Sequence, residues 1–216
     1  MKVRSVEELA DRLADDLKAR KREMASVKAM IGGARDHEKE CLLRAGFVLL
    51  YAHLEGFVKM AGTAYLALVR HQGLSYDQLK PNFVAAALKS KLETLGEVGK
   101  ATVVTTVVRQ LIYSAKDKAE LVWSGEIDCR HNLTSEVLGE ITCLLGLEFA
   151  RYETRRHFLD DSLLFNRNGI AHGQLVKIDE ATFRDAHDKV AQLLELFRAD
   201  IENAAATEAF REASTI

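Results

Sequence analysis

The sequence predicts an all-α fold, an up-and-down bundle of four to five core helices with additional helices around it. Two observations carry this reading. Apolar residues recur at helical spacing, first as Val6, Leu9, Leu13 and Leu17 and then as Met24, Val27 and Met30. The chain also holds a single proline, Pro81, in 216 residues, and long stretches without proline suit helices, whose interiors it breaks.

The first helix runs over about 6–30, with Ser5 as its cap, Glu8 three residues on as a capping-box partner and Gly32-Gly33 as its stop. A second and longest helix spans about 36–71 and stops near Gly73. Residues 75–81 connect it to a helix over 83–95. The run Thr102 to Val108 is β-branched, which by propensity favours strand. Its flanks are helical, and helix is the reading taken, with 109–119 continuing it. Residues 121–132 read as irregular. A short helix over 134–145 is capped by Thr134, or by Asn132 if it starts earlier. One further helix covers 148 to about 168, residues 173–179 form a short loop, and the last helix runs from Glu180 to about Phe210. No repeat, low-complexity run or linker divides the chain. A single domain over 1–216 is therefore expected, with the helix over about 5–31 as an extension to a core over about 36–210.

Hydrophobic residues make up 48% of the chain and charged residues 29%, with 30 Lys and Arg against 32 Asp and Glu. This balance excludes a strongly basic protein that coats nucleic acid, and leaves any RNA contact to a local patch. Cys41, Cys129 and Cys143 are an odd set without close pairing, which argues against a disulfide framework and for a reducing cytoplasm. The N-terminus turns acidic and amphipathic at once, without an apolar signal core. The most apolar stretch, Phe47 to Val69, carries His53, Glu55 and Lys59 in its middle, which makes membrane insertion costly. It reads as the buried helix of a soluble bundle, and no membrane partner is expected.

The run that carries chemistry is Phe165-Asn166-Arg167-Asn168-Gly169-Ile170-Ala171-His172-Gly173. Five positions of a regular helix rotate by about 140°, so a straight helix does not put Arg167 and His172 on one face. Gly169 and Gly173 allow a bent or terminating helix that aims both at one cleft, and a partner molecule can share that cleft.

This run resembles the Arg-x4-6-His signature of the HEPN superfamily, in which a polar residue commonly follows the arginine, as Asn168 does. The run from Leu42 to Phe57 resembles the early core helix of a prokaryotic HEPN branch. His131-Asn132-Leu133 and the helix after it resemble the segment that precedes the motif there. The likeness spans roughly 36–197. It implies a helical bundle that forms a homodimer, bringing two Arg-His pairs into one composite active site. It further implies a metal-independent ribonuclease with no cofactor, acting on RNA in toxin–antitoxin or anti-phage defence, with an antitoxin or defence-system protein as a partner. RNA brings its own nucleophile, the 2′-hydroxyl, so cleavage needs a base, an acid and charge stabilisation but no metal. An imidazole such as that of His172 takes a proton near neutral pH. A guanidinium such as that of Arg167 grips phosphate in two-pronged geometry. Asn168 is placed to orient the phosphate or a water. The products implied are a 2′,3′-cyclic phosphate and a 5′-hydroxyl. Some HEPN toxins carry a tyrosine two residues past the histidine where AMP is added; that position is Gln174 here, a departure from the pattern. Other HEPN domains have lost catalysis and serve as modules that bind RNA or nucleotide, or that dimerise and recruit a partner.

Other candidates stand beside this pair. Arg151, Arg155 and Arg156 form a basic cluster upstream that either grips RNA phosphates or is a solvated face paired with Glu148 and Glu153. Glu55, on an apolar helix, needs a partner if buried; it either bonds a neighbouring helix or supports the active-site arginine. Asp161, with Asp160, either pairs with Arg167 or orients His172, or lies on a solvated face. Tyr51 reads as core. Cys129, His131 and Cys143 lack the paired spacing of a zinc site, and no metal is expected. No Gly-rich phosphate loop or His-Glu-x-x-His motif is present.

Overall fold

The computed structural model describes residues 1–87, 101–121, 127–129 and 132–212. Three long helices share the core: α1 (Val6–Gly33), α2 (Asp36–His71) and α8 (Glu180–Ala206). α1 starts where Ser5 Oγ accepts from the Glu8 amide at 3.1 Å. Glu8 reaches back to the Arg4 amide at 2.9 Å rather than to Ser5, so the box closes one residue early. Leu9, Leu13, Leu17, Met24 and Ile31 are all buried. Each such side chain contributes about 1.5–3 kcal/mol when fully removed from water. α1 is thus part of the shared core and not an appendage to it.

α2 is the central element, buried along most of its length. It is long and apolar enough to cross a membrane, yet half of its most apolar window is buried inside the protein. α1, α2 and α8 approach closely at Gly46, where an added Cβ would lie 2.8 Å from Phe183 Cε2 and 2.9 Å from Val27 Cγ1. α8 is capped by Asp179, whose Oδ1 accepts from the Thr182 amide at 2.7 Å. It ends at Ala206, earlier than the spacing predicts. The chain turns back through Glu208 (φ 47°), with the Ala209 amide bonded to the Ala204 carbonyl at 2.8 Å. That turn carries Phe210 inward against Tyr65, ring centroids 6.4 Å apart.

The connection after α2 contains a 3-10 turn, Tyr76–Gln78. A helical stretch over 81–87, α3, follows at the edge of the described residues, and the rest of the helix expected over 83–95 lies outside them. α4 (Ala101–Tyr113) is helical despite its β-branched run. Thr105 and Thr106 hydroxyls donate to the carbonyls four residues back, at 2.7 and 2.9 Å, satisfying themselves within the helix. The expected continuation through 119 fails at Tyr113. Beyond it the backbone pairs with the connection after α2: the Asp77 amide donates to Ala115 and the Ala119 amide to Leu74, both at 2.8 Å. Among the described residues there is no strand, only isolated bridges at Ser75–Lys118 and Leu79–Arg211.

α5 (Ser135–Leu145) is capped by Thr134, whose hydroxyl accepts from the Val137 amide at 3.1 Å. The single helix expected over 148–168 is instead three pieces: α6 (Ala150–Glu153), a π-helical segment Phe158–Leu164, and α7 (Phe165–Ala171). Two tertiary ties explain the break. Arg151 and Tyr152 are both drawn onto Asp200 of α8. Asp160 turns to α5, accepting from the Ser135 amide at 2.8 Å and from its hydroxyl. The wider π turn lets Leu159, Leu163 and Leu164 stay in the core while Asp160 makes that bond.

Candidate functional site

α7 is short because its end is built to stop. Gly173 is left-handed (φ 79°), its amide bonds the Ile170 carbonyl at 3.0 Å, and the Gln174 amide bonds the Gly169 carbonyl at 2.9 Å. This is the Schellman arrangement, which glycine enters without a Cβ penalty. The returning chain then packs on the helix: a Cβ on Gly169 would lie 2.8 Å from Val176 Cγ2. His172 is therefore the C-cap, one residue past the end of the helix (φ −88°, ψ 13°), and its side chain is exposed. Among the described residues its imidazole makes no hydrogen bond, to Arg167 or to anything else.

Arg167, five residues earlier in the motif, is half-buried against α2. Its Nη1 donates to Asn132 Oδ1 at 2.9 Å and to Asn168 Oδ1 at 2.7 Å. Its guanidinium lies over the Tyr51 ring, 4.6 Å from the centroid, in cation–π geometry. Tyr51 is in turn fixed by its hydroxyl, which accepts from the buried Leu133 amide. Burial pushes the Tyr51 phenol up to about 12, with nearby Glu55 adding to the shift, so the ring under Arg167 stays neutral. Two amide oxygens and an aromatic face thus orient one cation, leaving its Nη2 edge without a hydrogen-bond partner among the described residues.

A family model described as MAE_28990-like HEPN matches residues 9–210. The chain belongs to the HEPN family. No curated protein and no solved structure matches it.

The HEPN chain places the remaining candidates as follows. Glu55 bonds Lys59 on its own helix at 2.6 Å, holding the Lys59 ammonium above its ordinary range. The basic cluster is engaged within the fold. Arg151 pairs with Asp200, Arg155 Nη2 donates to Gln192 Oε1 at 2.9 Å, and Arg156 lies 4.8 Å from the Phe149 ring centroid and 3.8 Å from Glu153. Asp161 faces solvent and bonds His157 Nδ1 at 2.9 Å, so it neither meets Arg167 nor orients His172. Asp160 caps α5. Cys41, Cys129 and Cys143 are free thiols. His131 lies outside the described residues, and among those described no group of three His, Cys, Asp or Glu side chains could hold a metal ion.

Sequence reasoning missed two members of this HEPN site. Asn132 is a direct partner of Arg167, and the signal was available, since it sits in the run that resembles the segment before the motif. Tyr51 reads as core and is core, at 2% exposure, yet its ring also carries Arg167.

Proposed function

We propose that this HEPN domain is a metal-independent endoribonuclease that acts as a homodimer. One observation carries the reading: within one short motif a guanidinium is held by Asn132, Asn168 and Tyr51 while α7 stops just before His172, whose imidazole stands in solvent. His172 takes the proton of the 2′-hydroxyl while the 2′-oxygen attacks phosphorus. Arg167 stabilises the charge gathering on the non-bridging oxygens through its free edge. Asn168 keeps that edge aimed. The P–O5′ bond breaks, and the leaving oxygen receives a proton from the His172 of a second copy. The products are a 2′,3′-cyclic phosphate and a 5′-hydroxyl.

A homodimer with a composite site fits the surface beside the motif. Phe165 and Leu175, which flank it in sequence, are 70% and 81% exposed, and large apolar side chains left in water favour covering by a partner. The setting is a cytoplasmic toxin–antitoxin or anti-phage system, with RNA as substrate and a controlling protein as partner.

The test is incubation of the purified protein with total RNA in EDTA, beside Arg167→Ala and His172→Ala. Cleavage that survives chelation, leaves cyclic-phosphate ends and is lost in both variants supports the reading. A folded dimer that never cleaves RNA would make this a binding or recruiting module instead.

A further inference from the structure

We infer that Arg44 is a second phosphate-binding arginine of the same site, gripping RNA beside the phosphate that Arg167 holds. The inference rests on the ribonuclease reading above.

Its basis is an unexplained cation. Among the described residues, Arg20, Arg155, Arg167, Arg198 and Arg211 are half-buried, and every one of them donates to an oxygen within the protein. Arg44 is half-buried too, its Nε is shut off from solvent, and it has no acceptor among the described residues. Glu40, four residues earlier on the same helix and exposed, is within ordinary pairing range by sequence, yet no ion pair forms. An enclosed guanidinium N–H without an acceptor costs free energy. The Nη groups, unlike Nε, are not enclosed and meet no acceptor among the described residues, and an anionic ligand would supply one.

The position of Arg44 says which ligand. Arg44, Tyr51 and Glu55 fall on one stripe of α2 at i, i+7 and i+11, and Tyr51 is the residue on which Arg167 rests. Seven helical residues put Arg44 about 10 Å from Tyr51 along the axis, toward the N-terminus of α2. The chain after Arg167 runs in that direction. Arg167 lies at the level of Tyr51, whereas Phe183 meets Gly46 and Glu180 meets Lys39 at 3.5 Å. Arg167 and Arg44 thus stand toward one stripe of α2, about 10 Å apart along it, near enough for one single strand to give a phosphate to each.

The test uses single-stranded oligoribonucleotide for cleavage and its all-2′-deoxy counterpart, which lacks the nucleophile, for binding. Affinity is followed by fluorescence anisotropy across a salt series for wild type, Arg44→Gln, Arg44→Met and Arg44→Lys, with thermal melting as the check on folding. The expected result is about tenfold weaker binding in the Gln and Met variants, a slope of log Kd against log salt reduced by about 0.7, as for one lost contact to a single strand, and recovery in the Lys variant. A structural role would lower the melting temperature without changing the slope. Wild-type affinity and slope in folded Gln or Met variants, with wild-type protein cleaving RNA, overturn the role of Arg44 alone. Wild-type protein that neither binds nor cleaves overturns the ribonuclease reading and this inference with it.

Discussion

Tyr51 performs two separable tasks, and two substitutions divide them. Its hydroxyl accepts from the buried Leu133 amide, and its ring carries the Arg167 guanidinium 4.6 Å from the centroid. Tyr51→Phe keeps the ring and leaves a buried N–H without an acceptor, a loss of about 1–3 kcal/mol of stability. For a chain of this size each kcal/mol moves the melting temperature by about 2–4 °C. Melting should therefore fall by several degrees while RNA cleavage is retained. Tyr51→Leu removes the ring as well. It forfeits a cation–π interaction of about 0.5–2 kcal/mol and frees the guanidinium to leave its aimed position. If that energy appears in the transition state, cleavage falls by about 2- to 30-fold, since about 1.4 kcal/mol is tenfold. The assay pairs thermal denaturation with initial cleavage rates, measured well below the melting temperature of each variant. Equal loss of cleavage in the Phe and Leu variants, both folded, would refute the view that the ring rather than the hydroxyl positions Arg167.

Two further outcomes follow from buried polar groups. Asp200 is almost wholly enclosed, takes the Tyr152 hydroxyl at 2.6 Å and pairs with half-exposed Arg151; Asp200→Ala should cost about 3 kcal/mol in urea denaturation, because it strands a buried hydroxyl while Arg151 resolvates, with Tyr152→Phe costing less. Burial holds the His53 imidazole below its ordinary value of 6.5, with Glu23 and Asp16 opposing that shift and Arg20 adding to it. The folded state thus prefers neutral His53, so its contribution is present above pH 6.5 and is lost as pH falls through that value and the unfolded chain takes up the proton. The urea midpoint of wild type should drop more steeply between pH 7.5 and 5.5 than that of His53→Gln; parallel curves would remove His53 as the cause.

Much of the helical frame and the Arg167–His172 motif is legible in the residues themselves. Helical spacing, the Ser5 and Thr134 caps and the glycine stops are local signals, and local signals act over a few residues. Gly173 belongs with them: its place after a helical run announces the turn that leaves His172 at the helix end. Where the sequence reading failed, the deciding contact came from far along the chain. The helix expected over 148–168 is broken by Asp200, nearly fifty residues away, and by Ser135 on α5. α4 stops at Tyr113 because the next residues pair with the segment around Leu74 and Asp77. Asp200 did leave a trace, an acidic residue at core spacing between Phe197 and Ala204, but its partners cannot be read from that spacing.

The all-α class and the long apolar central helix are set by the residues themselves, because periodicity, caps and residue chemistry are written within single segments. Packing alone shows that Asn132 and Tyr51 meet Arg167, that Arg151, Arg155 and Arg156 are engaged within the fold, and that Arg44 meets no acceptor among the described residues. Whether a buried charge is paired depends on which distant segments packing brings within about 3 Å of it, and no local pattern carries that information.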